Sequence, residues 1–141
     1  MARVSRRTNK IAQVQTDEAI KIWNTALYGR LSVMETRDRK DSESLETQME
    51  LLSSYIRGKA QFRLTGCYRD NGETGTNFQR PDFMRMMEDV RAGKINCIIV
   101  KDLSRFGRDF LETGNFLERI LPFLGVRFIS VNDNYDSENA D

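Results

Sequence analysis

Apolar residues along this chain change spacing several times, and each change marks a new element. Thr25 to Leu31, Thr-Ala-Leu-Tyr-Gly-Arg-Leu, is dense enough in apolar residues for a buried strand. A charged connection, Glu35 to Glu43, follows and reads as a solvated loop. From Ser44 onward Leu45, Met49, Leu52 and Ile56 fall at i, i+4, i+7 and i+11, which predicts an amphipathic helix stopped at Gly58. Phe62 and Leu64, with Cys67 and Tyr68 beyond, predict a second strand from Phe62 to Arg69. Pro81 suits the first position of a helix whose inner face is Phe83, Met86, Met87 and Val90 and which Gly93 closes. Ile95 to Val100 is a β-branched third strand, Phe110 to Leu124 a longer helix ending near Gly125, and Val126 to Val131 a fourth strand. The polar stretch from Asn132 to Asp141 is expected to fray.

Strands alternating with helices of about a dozen residues predict an α/β fold, a three-layer domain with a mostly parallel sheet of about four or five strands and helices on both faces. With 141 residues, 39% of them hydrophobic, the chain has material for one ordinary core. Residues 1–24 lack a strand pattern and read as a basic N-terminal extension, leaving 25–141 as the folded domain. The net charge of +1 does not announce a nucleic-acid partner. In the extension, Arg3, Arg6, Arg7, Lys10 and Lys21 outnumber Asp17 and Glu18, which suits a solvated tail or an arm that touches phosphates. No apolar run matches a membrane span or a secretion signal, so a cytoplasmic protein is expected. Cys67 and Cys97 have neither disulfide-framework nor zinc spacing and are expected as core thiols. The absence of histidine excludes a Ser-His-Asp triad, a Cys-His pair and a histidine-ligated metal.

Ligands of open α/β sheets bind beyond the carboxyl ends of the parallel strands. Arg30 and Ser32 close strand one, Asp70 and a glycine-containing loop close strand two, and Arg105 and Arg108 follow strand three. Ser104 reads as an N-cap, with Arg105 and Arg108 at i, i+3 on the first turn beyond it. Two guanidiniums beside helix N–H groups form an anion site for which phosphate is the natural guest. Arg30 and Ser32 are two apart on a strand and point to one side. Without histidine, a serine nucleophile depends on electrostatic stabilisation, which phosphoryl transfer can supply. Duller readings stand beside these: Arg105 with Asp109 and Arg108 with Glu112 have the spacing of surface ion pairs, Ser32 of a strand-end cap, and Asp70 of an Asx-turn residue. The loop lacks the Gly-Lys-Ser/Thr ending of a nucleotide-binding loop, so ATP is not implied.

Taken together, these motifs resemble the serine recombinases of the resolvase/invertase type, over about Ala26 to Ser137. Tyr28-Gly29-Arg30-Leu31-Ser32 is similar to the family's Tyr-x-Arg-x-Ser, and Gln48 falls where the first helix carries a site glutamine. Asp70-x-Gly72-x-Thr74-Gly75 followed by Arg80-Pro81 resembles the family's Asp-x-Gly-x-Ser-Gly loop and its Arg-Pro, with Thr74 for serine. Lys101 to Arg108 resembles the segment bearing two active-site arginines. Ser104 stands where small resolvases carry aspartate, which favours the large recombinases of mobile elements.

The resemblance implies that Ser32 attacks a DNA phosphodiester while Arg30, Arg105, Arg108 and Arg80 bind the phosphate. It further implies that Asp70 orients arginine or helps proton transfer, that Gln48 supports the site, and that Tyr28, Thr74, Gly75 and Lys101 contribute to substrate binding. Double-stranded DNA at specific sites, a homodimer and a synaptic tetramer are the implied partners; no cofactor, metal or membrane is implied. The alternative from the residues alone is a phosphate- or nucleic-acid-binding module that performs no chemistry.

Overall fold

A computed structural model of the chain describes residues 20–31, 44–71, 80–106 and 110–139. Its elements are β1 (Trp23–Leu31), α1 (Leu45–Ile56), β2 (Phe62–Asn71), α2 (Pro81–Arg91), β3 (Cys97–Val100) and α3 (Leu103–Phe106). They continue with α4 (Phe110–Asn115), a π-helical turn (Phe116–Ile120), α5 (Leu121–Phe123), β4 (Arg127–Ser130) and β5 (Tyr135–Asp136). The sheet order is β2-β1-β3-β4-β5. The first four strands run parallel. β5 lies antiparallel on β4.

Strand periodicity divides the core between the two faces of the sheet. Ala26, Tyr28, Ile98, Val100 and Phe128 meet Phe83, Met86, Met87 and Val90 of α2 and Leu121 of α5. Leu27, Ile99 and Ile129 meet Met49 and Leu52 of α1 on the opposite face. With helices on both faces, the expected three-layer arrangement is the observed one.

A bulge in β2 decides which of its residues reach the site. Trp23 pairs with Phe62 and Thr25 with Leu64, but Ala26 pairs with Gly66, so Thr65 is an inserted residue. An insertion of one residue moves every later side chain to the other face. Phe62 therefore packs with the α1 side, whereas Tyr68 joins the α2 side with Tyr28, and Asp70 comes into register with Arg30. The simple alternation read from Phe62 and Leu64 does not persist; Leu64 is exposed.

Three further expectations change. β1 begins at Trp23, two residues earlier than the pattern indicates, because Trp23 is buried against Leu27 and Phe62 in the α1-side core. The tail does not fray throughout: Arg127 forks onto the Asp136 carboxylate at 3.0 and 2.6 Å and Ser137 Oγ accepts the Phe128 N–H, which together hold β5 on β4. Cys97 is a core thiol whose pKa burial pushes up to about 12, but Cys67 lies on the edge strand and is exposed. No described helix is long and apolar enough to cross a membrane.

Candidate active site

Strand order reverses between β1 and β3: the chain leaves β1 for β2 on one side and returns to β3 on the other. Such a switch point opens a crevice at the carboxyl ends of the strands. Arg30, near the end of β1, and Arg105, on α3 after β3, meet across it. Arg30 Nε donates to the Arg105 carbonyl at 3.2 Å and Arg30 Nη2 donates to the Ser104 carbonyl. Arg105 Nη1 returns a bond to the Arg30 carbonyl at 3.1 Å. Each guanidinium thus holds the backbone of the segment that carries the other.

Gln48 fixes the β1 side of this clamp. Fully buried on α1, it accepts the Arg30 N–H on Oε1 at 3.2 Å and donates from Nε2 to the Arg30 carbonyl at 3.1 Å, bracketing that residue as a further strand would. Gly29 permits this approach. A Cβ there would stand 2.7 Å from Met49 Cε, which could swing away, and 3.1 Å from Gln48 Oε1, which its hydrogen bond restrains.

Asp70 takes a place behind the arginines. Its carboxylate accepts the Tyr28 hydroxyl at 2.7 Å and the N–H groups of Asp82 and Phe83 at 3.0 and 2.9 Å. It therefore caps α2 from β2, a task that the residue at the cap position, Arg80, leaves undone. Among the described residues it has no arginine partner. Burial, reinforced by the bond to Asp70, pushes the Tyr28 phenol far above its usual range, so it stays a protonated donor. Tyr28 is fully buried and supports Asp70 from the core.

Arg80 is also enclosed. Nη1 donates to the Phe106 carbonyl, Nη2 meets Glu112 Oε1 at 3.1 Å, and the guanidinium lies 3.9 Å above the Phe83 ring. Lys101 is half-buried, and its carbonyl accepts the Asn132 N–H at 2.8 Å. Ser104 is not the cap of α3. The helix begins at Leu103, whose N–H goes to Asp133 Oδ2 at 2.8 Å, while Ser104 Oγ donates to Asp102 Oδ1 at 2.6 Å. Arg105 N–H goes to the Asp102 carbonyl. With these amides engaged, the helix terminus offers no free pair of N–H groups at Leu103 and Arg105 for the expected anion.

The structure thus brings together Arg30, Arg105, Gln48, Asp70, Tyr28 and Arg80 around one crevice. Ser32, Thr74, Gly75 and Arg108 lie outside the described residues, as does Asp109 of the expected surface pair. Among the described residues Arg105 has Asp102 at 3.5 Å from Nε, and Glu112 has Arg80 at 3.1 Å. Glu112 and Asp133 are the residues that sequence reasoning missed. Glu112 shows only helical spacing to Arg108, and Asp133 lies in a polar stretch whose order depends on contacts with α3 and β4.

Residues 25–141 match the family model described as Resolvase, N terminal domain. A resolvase family site-specific recombinase from Streptococcus pneumoniae is 31% identical, with a TM-score of 0.71 over 86% of this chain and 79% of that one. The N-terminal catalytic domain of TP901-1 integrase shares the fold at 23% identity, with a TM-score of 0.69 over 83% of each chain. So does the C-terminal catalytic domain of ISC1926 TnpA, an IS607-like serine recombinase, at 21% identity and a TM-score of 0.58, over 77% of this chain and 69% of that one. Among curated proteins nothing matches.

Proposed function

The chain belongs to the resolvase family, as the catalytic domain of a site-specific recombinase that cleaves and rejoins DNA, and from this membership we propose how its own residues perform the reaction. Ser32 Oγ attacks the scissile phosphorus and gives up its proton, a phosphoserine bond forms to the 5′ end as the bond to the 3′ oxygen breaks, and that oxygen leaves as a hydroxyl, so one proton is lost and one taken up. Arg30, Arg105 and Arg108 hold the non-bridging oxygens and stabilise charge as it develops. Asp70, Tyr28 and Gln48 keep the supporting backbone in place.

The mutual clamp of Arg30 and Arg105 carries this reading. It holds two guanidiniums at the crevice where β1 ends, and Ser32 follows Leu31 by one peptide bond. Attack by the 3′ hydroxyl of an exchanged strand reverses the first step. The phosphodiester energy is retained in the phosphoserine bond, so resealing requires no nucleotide hydrolysis. DNA is the substrate and the family works as oligomers; for this chain we take homodimers joined in a synaptic tetramer as the working assembly.

The test uses full-length protein and a nicked suicide duplex drawn from DNA flanking its own gene. An SDS-resistant protein–DNA adduct is expected from the wild type and none from Ser32→Ala. An adduct that persists in Ser32→Ala removes the serine from its role. DNA binding without any adduct favours a module that only holds phosphate.

A further inference from the structure

Arg80 joins three elements. From the N-terminus of α2 it reaches the carbonyl of Phe106, the last residue of α3, and the carboxylate of Glu112 in the first turn of α4. Beneath it, Phe83 packs edge-on against Phe106 and Phe116 with ring centroids 5.3 and 5.4 Å apart, and those two rings meet at 5.1 Å. Arg80 is only 7% exposed. A guanidinium sunk among aromatic rings needs an anion, because an uncompensated cation there is costly. Glu112 provides it, and the planar fork then fixes direction as well as charge.

Resting on the reading of Arg105 and Arg108 as phosphate ligands, we infer that Glu112 is a positioning residue for DNA cleavage. It holds Arg80 against Phe106, which lies in sequence between the two phosphate-binding arginines. The contact ties α2, α3 and α4 together through a buried guanidinium and a half-buried carboxylate. Since the carboxylate works through Arg80, its loss changes where the phosphate ligands stand and leaves the charge that attracts DNA in place.

The experiment uses the full-length protein and suicide duplex described above, with DNA affinity measured alongside the rate of adduct formation. Glu112→Gln keeps shape and an acceptor but removes the charge; Glu112→Ala removes both. Both are expected to form the adduct on the order of tenfold to a hundredfold more slowly, the scale of a misplaced catalytic group, with duplex affinity not reduced. In an Arg80→Ala background either change is expected to add nothing further. A wild-type rate in Glu112→Gln, or full additivity with Arg80→Ala, overturns the inference. Should Glu112→Ala not fold, Glu112→Asp, charged but one methylene shorter, carries the same expectation and the same refutation. Absence of a Ser32-dependent adduct from the wild type defeats the cleavage reading and this inference together. A wild-type adduct with unaffected Glu112 variants defeats this inference alone.

Discussion

Two arginine clusters sit at opposite ends of the parallel strands and are held by different chemistry. Near the amino ends, Arg127 places two nitrogens on the Asp136 carboxylate and lies 5.3 and 5.1 Å from the ring centroids of Trp23 and Phe62. At the carboxyl ends, Arg30 and Arg105 give donors to main-chain carbonyls, and the Asp102 carboxylate stands off Arg105 Nε at 3.5 Å without a fork. A carboxylate fork cancels the charge it fixes, whereas a carbonyl fixes position without cancelling charge. The first arrangement makes a rivet. The second suits a site that must still attract a phosphate, and Arg80 on Glu112 belongs with the rivet although it lies beside the site.

The sharpest way to break this contrast is to change both clusters alike. Arg105→Lys keeps the charge but loses the planar fork, and adduct formation is expected to fall about 10²–10³-fold, as when one transition-state donor is removed. Arg127→Lys is expected to leave the rate per folded molecule unchanged and to lower stability by about 2 kcal/mol. Equal losses of rate in both variants would erase the distinction. Asp70→Ala falls between them. It strands the Tyr28 hydroxyl and two α2 amides, so a loss of about 3 kcal/mol is expected in urea unfolding, with an unchanged midpoint counting against its capping role.

Much of the architecture was legible because local patterns and tertiary packing agree. Leu45, Met49, Leu52 and Ile56 gave α1, and Phe83, Met86, Met87 and Val90 gave the buried face of α2. That Arg30 and Arg105 meet followed from their places beyond the carboxyl ends of two parallel strands, whereas Gln48 was picked out by the family resemblance. What escaped depends on contacts between distant segments. No residue pattern marks Thr65 as the inserted position, yet that bulge aligns Asp70 with Arg30 and brings Tyr68 to the α2 side. Asp133 looked like part of a loose tail because one of its partners, Leu103 N–H, opens α3 far away in sequence; the other, Ser130 Oγ, is local. Ser104 suggested a cap by residue type, but Asp133 already satisfies the first amide of α3.

The smallest expected effect separates the clusters by pH. Burial alone would raise the Asp136 pKa, but the Arg127 fork and the Glu138 N–H outweigh it and hold the group below the usual carboxylate range. A carboxyl depressed in the folded state releases its proton more readily there than in the unfolded chain, so it favours folding once ionised. That contribution is complete above the unfolded value of about 3.9 and fades as pH falls through the lower folded one. Wild-type protein is therefore expected to lose a part of its unfolding free energy between about pH 5 and pH 3 that Asp136→Asn does not lose. Urea midpoints measured across that window would show the two curves converging toward acid pH. Parallel curves would mean that Asp136 titrates alike in both states and that Arg127 gains nothing from its charge. Above pH 5 the gap between wild type and variant is expected to stay constant.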